Sequence, residues 1–363
     1  MHARCLVESL AARGHEVEIW ALTLEGVGIA VAPSVAIHQV AVAWVPGEAP
    51  AARVERCSAV LAAALRGAPA VDINHAQDML AARALLALRT EGEIPHVVRT
   101  VHHTEVFEDR FLEECQRASI QDVDRSIAVS AFWADRLAHE FGVEAPVVPN
   151  GVDAARFASP GLDRAAAGAR MGWGDRPVVL AVGGVQARKG SRMLLEAFAL
   201  LVIAGGDGIY ASDAHEVAWR DDASRLGLVV HEGPDAPTVA DVARIGVVAD
   251  DNMPVLYRAA DVLAFPSTRE GFGLVLLEAA AAGLPVVVSD LPVFSEFMED
   301  GVDCLMVPVG DPADLANVLA RVMKDPVLRD GLVARAHETA ARYSWDETAA
   351  RNEAVYAAFL AGG

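Results

Sequence analysis

Apolar positions along this chain follow two spacings that take turns almost from end to end. At the start, Leu6, Val7, Leu10 and Ala11 recur at helical spacing, and Arg13-Gly14-His15 supplies a glycine stop. A strand is predicted over 17–22, and further strand-like runs lie at 35–40, 71–74, 96–101 and 126–129, with helical runs between most of them. Asn150-Gly151-Val152-Asp153 reads as a turn and Ser159-Pro160-Gly161 as loop. A second series opens at Pro177-Val-Val-Leu-Ala-Val-Gly-Gly184 and continues with strands at 200–204, 243–248, 262–265, 286–289 and 304–307. From about Pro326 the chain closes on a helical stretch that includes Tyr343-Ser-Trp345. Strands alternating with helices predict mostly parallel sheets covered on both faces. The expectation is an α/β protein of two doubly wound domains with a cleft between them. The division is 1–150, 151–340, and a C-terminal helix over 341–363 that could cross back to the N-terminal domain.

Two places break the alternation. The opening helix has no strand before it, although the first strand of a doubly wound domain is usually central and its following loop lines the ligand cleft. Farther on, Leu194-Leu-Glu-Ala-Phe-Ala-Leu200 runs straight into Leu201-Val-Ile-Ala-Gly-Gly206, although a helix normally needs a few loop residues before the next parallel strand. Both breaks are expected to mark residues absent from this sequence. A sheet without a central strand loses more core than one large-to-small substitution, which alone costs ~2–5 kcal/mol.

Composition narrows the class. The 363 residues suit two domains, and a 53% hydrophobic content is ample for their cores. Thirty basic residues face fifty acidic ones, for a net charge of −20, and only Lys189 and Lys324 are lysines. That balance argues against nucleic acid as a partner, because phosphate neutralisation needs a basic face. It also weakens docking on an anionic bilayer. Cys5, Cys57, Cys115 and Cys304 are scattered with no C-x-x-C, so neither a zinc site nor a disulfide framework is indicated. Buried reduced thiols in a cytoplasmic protein are expected. No run of ~18 uncharged apolar residues predicts a membrane span, and the start lacks a signal-peptide pattern.

The densest chemistry lies in Glu270-Gly-Phe-Gly-Leu-Val-Leu-Leu-Glu278, between two apolar strands. The Gly-x-Gly turn is expected to open a helix at about Phe272 or Gly273, leaving Glu270 in the loop at a strand's carboxyl end and Glu278 two turns along the helix. Ligands of open α/β sheets bind at that edge. A helix N-terminus offers N–H groups to phosphate, and glycines let backbone approach a ligand. The combination suits a ligand with both phosphate and sugar hydroxyls. No G-x-G-x-x-G follows a strand and no G-x-x-x-x-G-K-[ST] occurs, which excludes dehydrogenase and P-loop readings.

With these residues in hand, the chain resembles a retaining glycosyltransferase of family 4, with the GT-B fold of two Rossmann-like domains. The similarity runs over nearly the whole length. It is carried in order by residues 2–22, Val71-Asp-Ile-Asn-His-Ala76, Val98-Arg-Thr-Val-His-His103 and Val148-Pro-Asn-Gly-Val-Asp153. Ala187-Arg-Lys-Gly190, Val202-Ile-Ala-Gly-Gly206, Met253-Pro-Val-Leu-Tyr-Arg258 and the block with two glutamates follow. The pattern is most similar to an actinobacterial-type subgroup whose acceptor the sequence does not name.

The resemblance implies a role for each group. Lys189 and Arg188, after the turn Gly183-Gly184, would hold the donor diphosphate and neutralise the leaving nucleotide, since fixed charge at a developing phosphate is usually the largest catalytic term. The family usually has an arginine where Gly184 stands, and Arg188 would supply that guanidinium. Glu270 would contact donor-sugar hydroxyls near the reacting carbon. Glu278 would accept from the two ribose hydroxyls, as a carboxylate suits a vicinal diol; in a helix apolar nearly all round it is expected to have a partner. The N–H groups of Gly271, Phe272, Gly273 and Leu274 would serve sugar and phosphate, and the backbone near Gly246 and Val247 the base. His102 would reach the donor sugar or the acceptor, with His103 and His75 on the acceptor side. His15 is expected to be structural. Asp122-x-Asp124 is expected to be a surface turn and not a metal motif. Glu296 matches a family carboxylate, but Leu291-Pro-Val-Phe294 replaces the usual preceding glycines.

The implied reaction moves a sugar from a UDP-, GDP- or ADP-sugar to a small or lipid-linked acceptor with retention, without metal or other cofactor. The leaving phosphate would assist acceptor deprotonation, so no protein base is named. The domains would close on donor about a hinge near 150–153. Two rival readings stand beside it. One is a nucleotide-sugar epimerase or hydrolase of the same fold. The other is a truncated, non-catalytic sugar-nucleotide binder, to which the missing strand and its loop point. Base, sugar, acceptor and oligomeric state are not legible.

Overall fold

The computed structural model describes residues 2–24, 31–158, 161–196, 201–205, 213–233 and 241–362. The chain alternates as its pattern predicts. Its first elements are α1 (His2–Ala12), β1 (Glu18–Leu24), β2 (Ala36–Val42), α2 (Pro50–Leu65), β3 (Asn74–Ala76), α3 (Met79–Thr90), β4 (Val97–Val101), α4 (Arg110–Gln121), β5 (Arg125–Ala128) and α5 (Ala131–Phe141). There follow α6 (Ala154–Ala158), α7 (Arg164–Arg170), β6 (Val179–Val182), α8 (Ser191–Leu194), β7 (Leu201–Ala204), α9 (Asp213–Arg225), β8 (Val230–Glu232), β9 (Val242–Gly246), α10 (Met253–Ala259) and β10 (Val262–Phe265). The last are α11 (Leu274–Ala281), β11 (Val286–Ser289), α12 (Pro292–Ser295), β12 (Leu305–Val307), α13 (Pro312–Lys324), α14 (Pro326–Ala341) and α15 (Trp345–Leu360). Helix starts are local chemistry: Asp78, Ser130, Asp163 and Asp325 each accept the N–H three residues on. Gly142 ends α5 in the left-handed region at φ 68°.

The chain divides into two compact units, residues 1–151 with 345–363, and residues 152–344. In the first, every paired strand is parallel, but the strands form two sheets, β1-β2 and β3-β4-β5. The expected single doubly wound sheet is therefore parted. Among the described residues β1 and β3 share no neighbouring strand. Both sheets pack on α2 and α3. Leu6 and Leu10 of α1 bury against Ala349 of α15, while Val98, Ile127 and Val148 pack with Val355, Tyr356 and Phe359. The last helix thus completes this unit's core. A pocket of about 710 Å³ opens beside it, lined by Arg13, His15, Asp72, Ile73, Glu353 and Tyr356 among others. His15 holds Glu353 at 2.8 Å, the structural role expected of it.

The second unit has one seven-stranded parallel sheet in the order β12-β11-β10-β6-β7-β9-β8. Strands β7, β10 and β11 are buried along their whole length, as continuous apolar runs in a covered parallel sheet should be. Trp219, Leu315, Leu319 and Leu332 close the core over them.

Several details differ from the pattern. The strand expected at 71–74 begins only at Asn74, because its partner β4 starts opposite it at Val97. The three-residue edge strand β8 was not anticipated. The closing helix is two helices, parted at residues 342–344, where the Tyr343 carbonyl accepts the Val152 N–H at 3.0 Å. Cys57, Cys115 and Cys304 are buried free thiols, whereas Cys5 is half-buried. Leu200 and Gly206, with the break suspected beside Leu200, lie outside the described residues, as do Ser159 and Pro160. Among the described residues no helix is long and apolar enough to cross a membrane.

Leu6→Ala should destabilise the first unit by ~2–5 kcal/mol. Hydrogen exchange should quicken in α1 and α15 together and leave the second unit's strands unchanged.

Candidate functional site

The order of the seven-stranded sheet decides where a site can lie. The chain leaves β6 to one side for β7 and later crosses to the other side for β10. The loops after β6 and β10 therefore diverge at a topological switch point, where α/β sheets bind ligands.

Glycines bring the strand ends close there. Gly183 and Gly184 both donate to the Ala204 carbonyl, at 2.7 and 3.1 Å. Gly205, at φ 118°, has no room for a side chain, since a Cβ would stand 2.8 Å from the Gly184 nitrogen. Its N–H donates to the Gly246 carbonyl at 2.7 Å. The ends of β6, β7 and β9 thus form one continuous backbone rim. Val247, next along, is 82% exposed.

The loop after β6 turns through a short 3-10 segment, Ala187–Lys189, and Gly190 then meets the loop after β10. Gly190 lies at φ 65°, and a Cβ there would fall 2.1 Å from the Pro266 carbonyl oxygen. Only glycine fits. The Thr268 N–H donates to the Arg188 carbonyl at 2.7 Å, tying the two loops a second time.

This crossing assembles the charged cluster. Lys189 Nζ lies 2.6 Å from Glu270 Oε1, both side chains largely buried. The Lys189 stem passes over Gly183, and its ammonium stands 4.4 Å from the Phe265 ring centroid. Ser267 Oγ donates to the same Glu270 oxygen at 2.8 Å, and Arg188 Nη1 approaches it at 3.5 Å. Burial pushes the Lys189 ammonium below its usual range, and the Glu270 charge opposes that push. The structure therefore brings together four predicted residues, Gly183, Arg188, Lys189 and Glu270, and adds Ser267 and Phe265, which the sequence reading missed.

From Glu270 the chain enters α11 through Gly273, whose φ of 99° is the left-handed turn anticipated; the first helical residue is Leu274. Phe272 is buried and stacks on Phe297 at 5.0 Å. Glu278, in the second turn of α11, is 4% exposed. Its partner is Tyr257 of α10, whose hydroxyl donates to Oε2 at 2.7 Å. Burial raises the Glu278 carboxyl to about 7, against the lowering effect of the Tyr257 hydrogen bond and of Arg156.

The predicted histidines stand in the first unit. His102 Nε2 lies 3.2 Å from Gln77 Oε1, and its ring meets His2 edge-on at 4.6 Å. Burial, then the neighbouring His2, hold His102 well below the usual histidine range, so it is neutral at pH 7. His75 sits inside β3, not after its end, with Nδ1 2.6 Å from the Tyr356 hydroxyl and Nε2 2.9 Å from Thr100 Oγ1. Both ring nitrogens are thus engaged within the protein. His103 is more exposed and lies 3.2 Å from Glu105. Asp124 accepts from Arg89 and from the Val97 N–H, and Asp122 ends α4. Glu296 follows α12 and is exposed.

Comparison with known proteins places both units. A family model described as Glycosyltransferase Family 4 matches residues 1–156, and one described as Glycosyl transferases group 1 matches residues 176–325. The D-inositol 3-phosphate glycosyltransferase of Actinosynnema mirum is 31% identical over 389 aligned positions, covering 97% of this chain and 89% of that protein. The enzyme of the same name from Salinispora arenicola is 34% identical over 65% of this chain. The chain spans 55% of that relative's length, about half. Among solved structures, sucrose-phosphate synthase from Thermosynechococcus elongatus superimposes with a TM-score of 0.80 at 23% identity, over 99% of this chain and 93% of its own.

The raised Glu278 carboxyl has a consequence for stability. Between about pH 4.5 and 7 the folded chain holds a proton that the unfolded chain has lost, so this residue's contribution to stability declines as pH rises through that window. Glu278→Gln should remove that dependence. Thermal melts should show the variant more stable by roughly 2–3 kcal/mol above pH 7 and near parity below pH 4.5.

Proposed function

Because the chain belongs to glycosyltransferase family 4 and has the GT-B fold, we propose that it transfers a glycosyl group from a nucleoside diphosphate sugar to an acceptor hydroxyl, with retention and without a metal. The observation that carries this reading is the ion-paired cluster of Lys189, Arg188 and Glu270 at the switch point of the second sheet, at the head of α11.

In this reading the diphosphate takes the place of Glu270 as partner of Lys189. Arg188 and the N–H groups at the start of α11 share its charge. The freed Glu270 carboxylate accepts hydrogen bonds from the donor sugar, oriented by Ser267. Glu278 accepts from the ribose hydroxyls, and the rim near Gly246 and Val247 meets the base. The bond from the anomeric carbon to the diphosphate oxygen breaks as the acceptor oxygen bonds to that carbon on the same face. The acceptor proton passes to the departing phosphate, whose charge Lys189 and Arg188 neutralise. His102, neutral and half-buried, acts as a hydrogen-bonding group toward donor sugar or acceptor, beside the more exposed His103. His75 acts by holding its strand in place.

The parted sheet of the first unit favours a second reading, in which the second unit binds a sugar nucleotide and nothing is transferred. Calorimetry with UDP-, GDP- and ADP-sugars, followed by product analysis with candidate acceptors, separates the two. D-inositol 3-phosphate belongs in the acceptor panel because the relatives carry it in their names. Donor binding without product over the whole panel supports the second reading.

Glu270→Gln should lower transfer by at least about 100-fold while circular dichroism stays unchanged. Chelator should leave the wild-type rate as it is, and product NMR should show the donor's anomeric configuration. A variant that transfers at the wild-type rate removes Glu270 from the mechanism.

A further inference from the structure

The Glu278 carboxylate is held on one side only. Oε2 accepts from the Tyr257 hydroxyl at 2.7 Å, and Oε1 accepts no hydrogen bond from any described residue. Tyr257 itself is fully buried, with its ring edge-on to Phe157 at 5.7 Å. Among the described residues the one hydrogen-bond partner of its hydroxyl is that carboxylate, so neither group can turn away without leaving the other unpaired and buried.

We propose that Tyr257 is a positioning residue for nucleotide recognition: its hydroxyl pins Oε2 of Glu278 and so aims Oε1 at the ribose of the bound nucleotide. This rests on the donor-site reading above. It adds a residue that contacts no ligand and acts through the carboxylate.

A consequence follows for pH. A diol donates to a carboxylate, and protonation removes acceptor capacity, so the ionised form binds it better. The groups facing Glu278 are the Tyr257 hydroxyl on α10, Arg156 on α6, and Asp250 just before α10, which opposes ionisation. At the far end of the helix, His337 of α14 lies against Gly283. Strand β11 presents Val286–Ser289 and no charge. The free carboxyl sits near 7, so nucleotide binding should release a proton around neutrality and weaken below it. Without the Tyr257 hydroxyl that midpoint should move to higher pH.

The test compares UDP, GDP and ADP with their 2′-deoxy forms, by calorimetry from pH 6 to 8.5, on the wild-type chain and Tyr257→Phe. For the ribonucleotide that binds, Tyr257→Phe should raise Kd about tenfold at pH 7 and shift the pH profile upward. For its 2′-deoxy form the same substitution should change Kd much less, because the contact it orients is already weakened. Equal losses for both sugars overturn the proposal, since they indicate a general packing defect. An unchanged Kd overturns it as well. Should the variant fail to fold, the wild-type profile decides: ribonucleotide affinity that is flat through pH 7 overturns it, and affinity that falls below pH 7 for the ribonucleotide alone supports it. No binding of any nucleotide by the wild-type chain defeats the donor-site reading itself, a different outcome from the loss of Tyr257's role.

Discussion

The candidate site depends on one place where two backbones touch. Gly190 and the Pro266 carbonyl stand so close that no Cβ fits between them. That contact sets the loop after β6 against the loop after β10. Lys189, the residue before Gly190, is thereby delivered to Glu270, four residues beyond Pro266. The buried ion pair is a result of this crossing and not its cause, since buried charges seldom repay their desolvation. The glycines at 183, 184 and 205 serve the same end, because they let three strand ends share one rim on which a phosphate could meet backbone.

Around that contact the polar groups are paired within the protein. Lys189 and Glu270 satisfy each other, so neither is left buried and unpaired. Glu278 is treated differently. Its helix is apolar nearly all round, and a single phenol supports the carboxylate from the neighbouring helix. The first glutamate is held by charge and the second by one neutral donor. Burial moves the Glu278 carboxyl up to about 7.

The local parts of this arrangement were legible in the sequence. Gly183, Arg188, Lys189 and Glu270 stand at strand ends or in the loops that follow them, and Glu278 in the second turn of the next helix, where short motifs carry their own geometry. The places of β7, β9, β10, β11 and β12 along the chain were legible too, because covered strands read as apolar runs, whereas the short edge strand β8 was not. What was hidden depends on contacts between distant elements. Tyr257 looks like one more apolar residue of a short helix until α10 is laid beside α11. Ser267 gains its role only when the loops cross. His75 was placed at a strand end because residues 71–74 have strand composition, but pairing with Val97 starts the strand at Asn74. The division of the first unit's strands into two sheets, β1-β2 and β3-β4-β5, depends on pairing between distant segments and was not legible.

The first unit is also discontinuous along the chain. Arg13 and Glu353, 340 residues apart, are joined at 2.7 Å, and Leu6 and Leu10 bury against Ala349. A ribosome synthesises α1 well before α15. Throughout elongation, the apolar faces that will receive α15 have nothing to cover them, while residues 152–344 already hold everything their own sheet requires. The later unit can therefore finish folding before the earlier one, reversing the usual order for nascent chains. For an interval set by translation speed, the apolar residues that α15 covers stay open to solvent and to one another's copies.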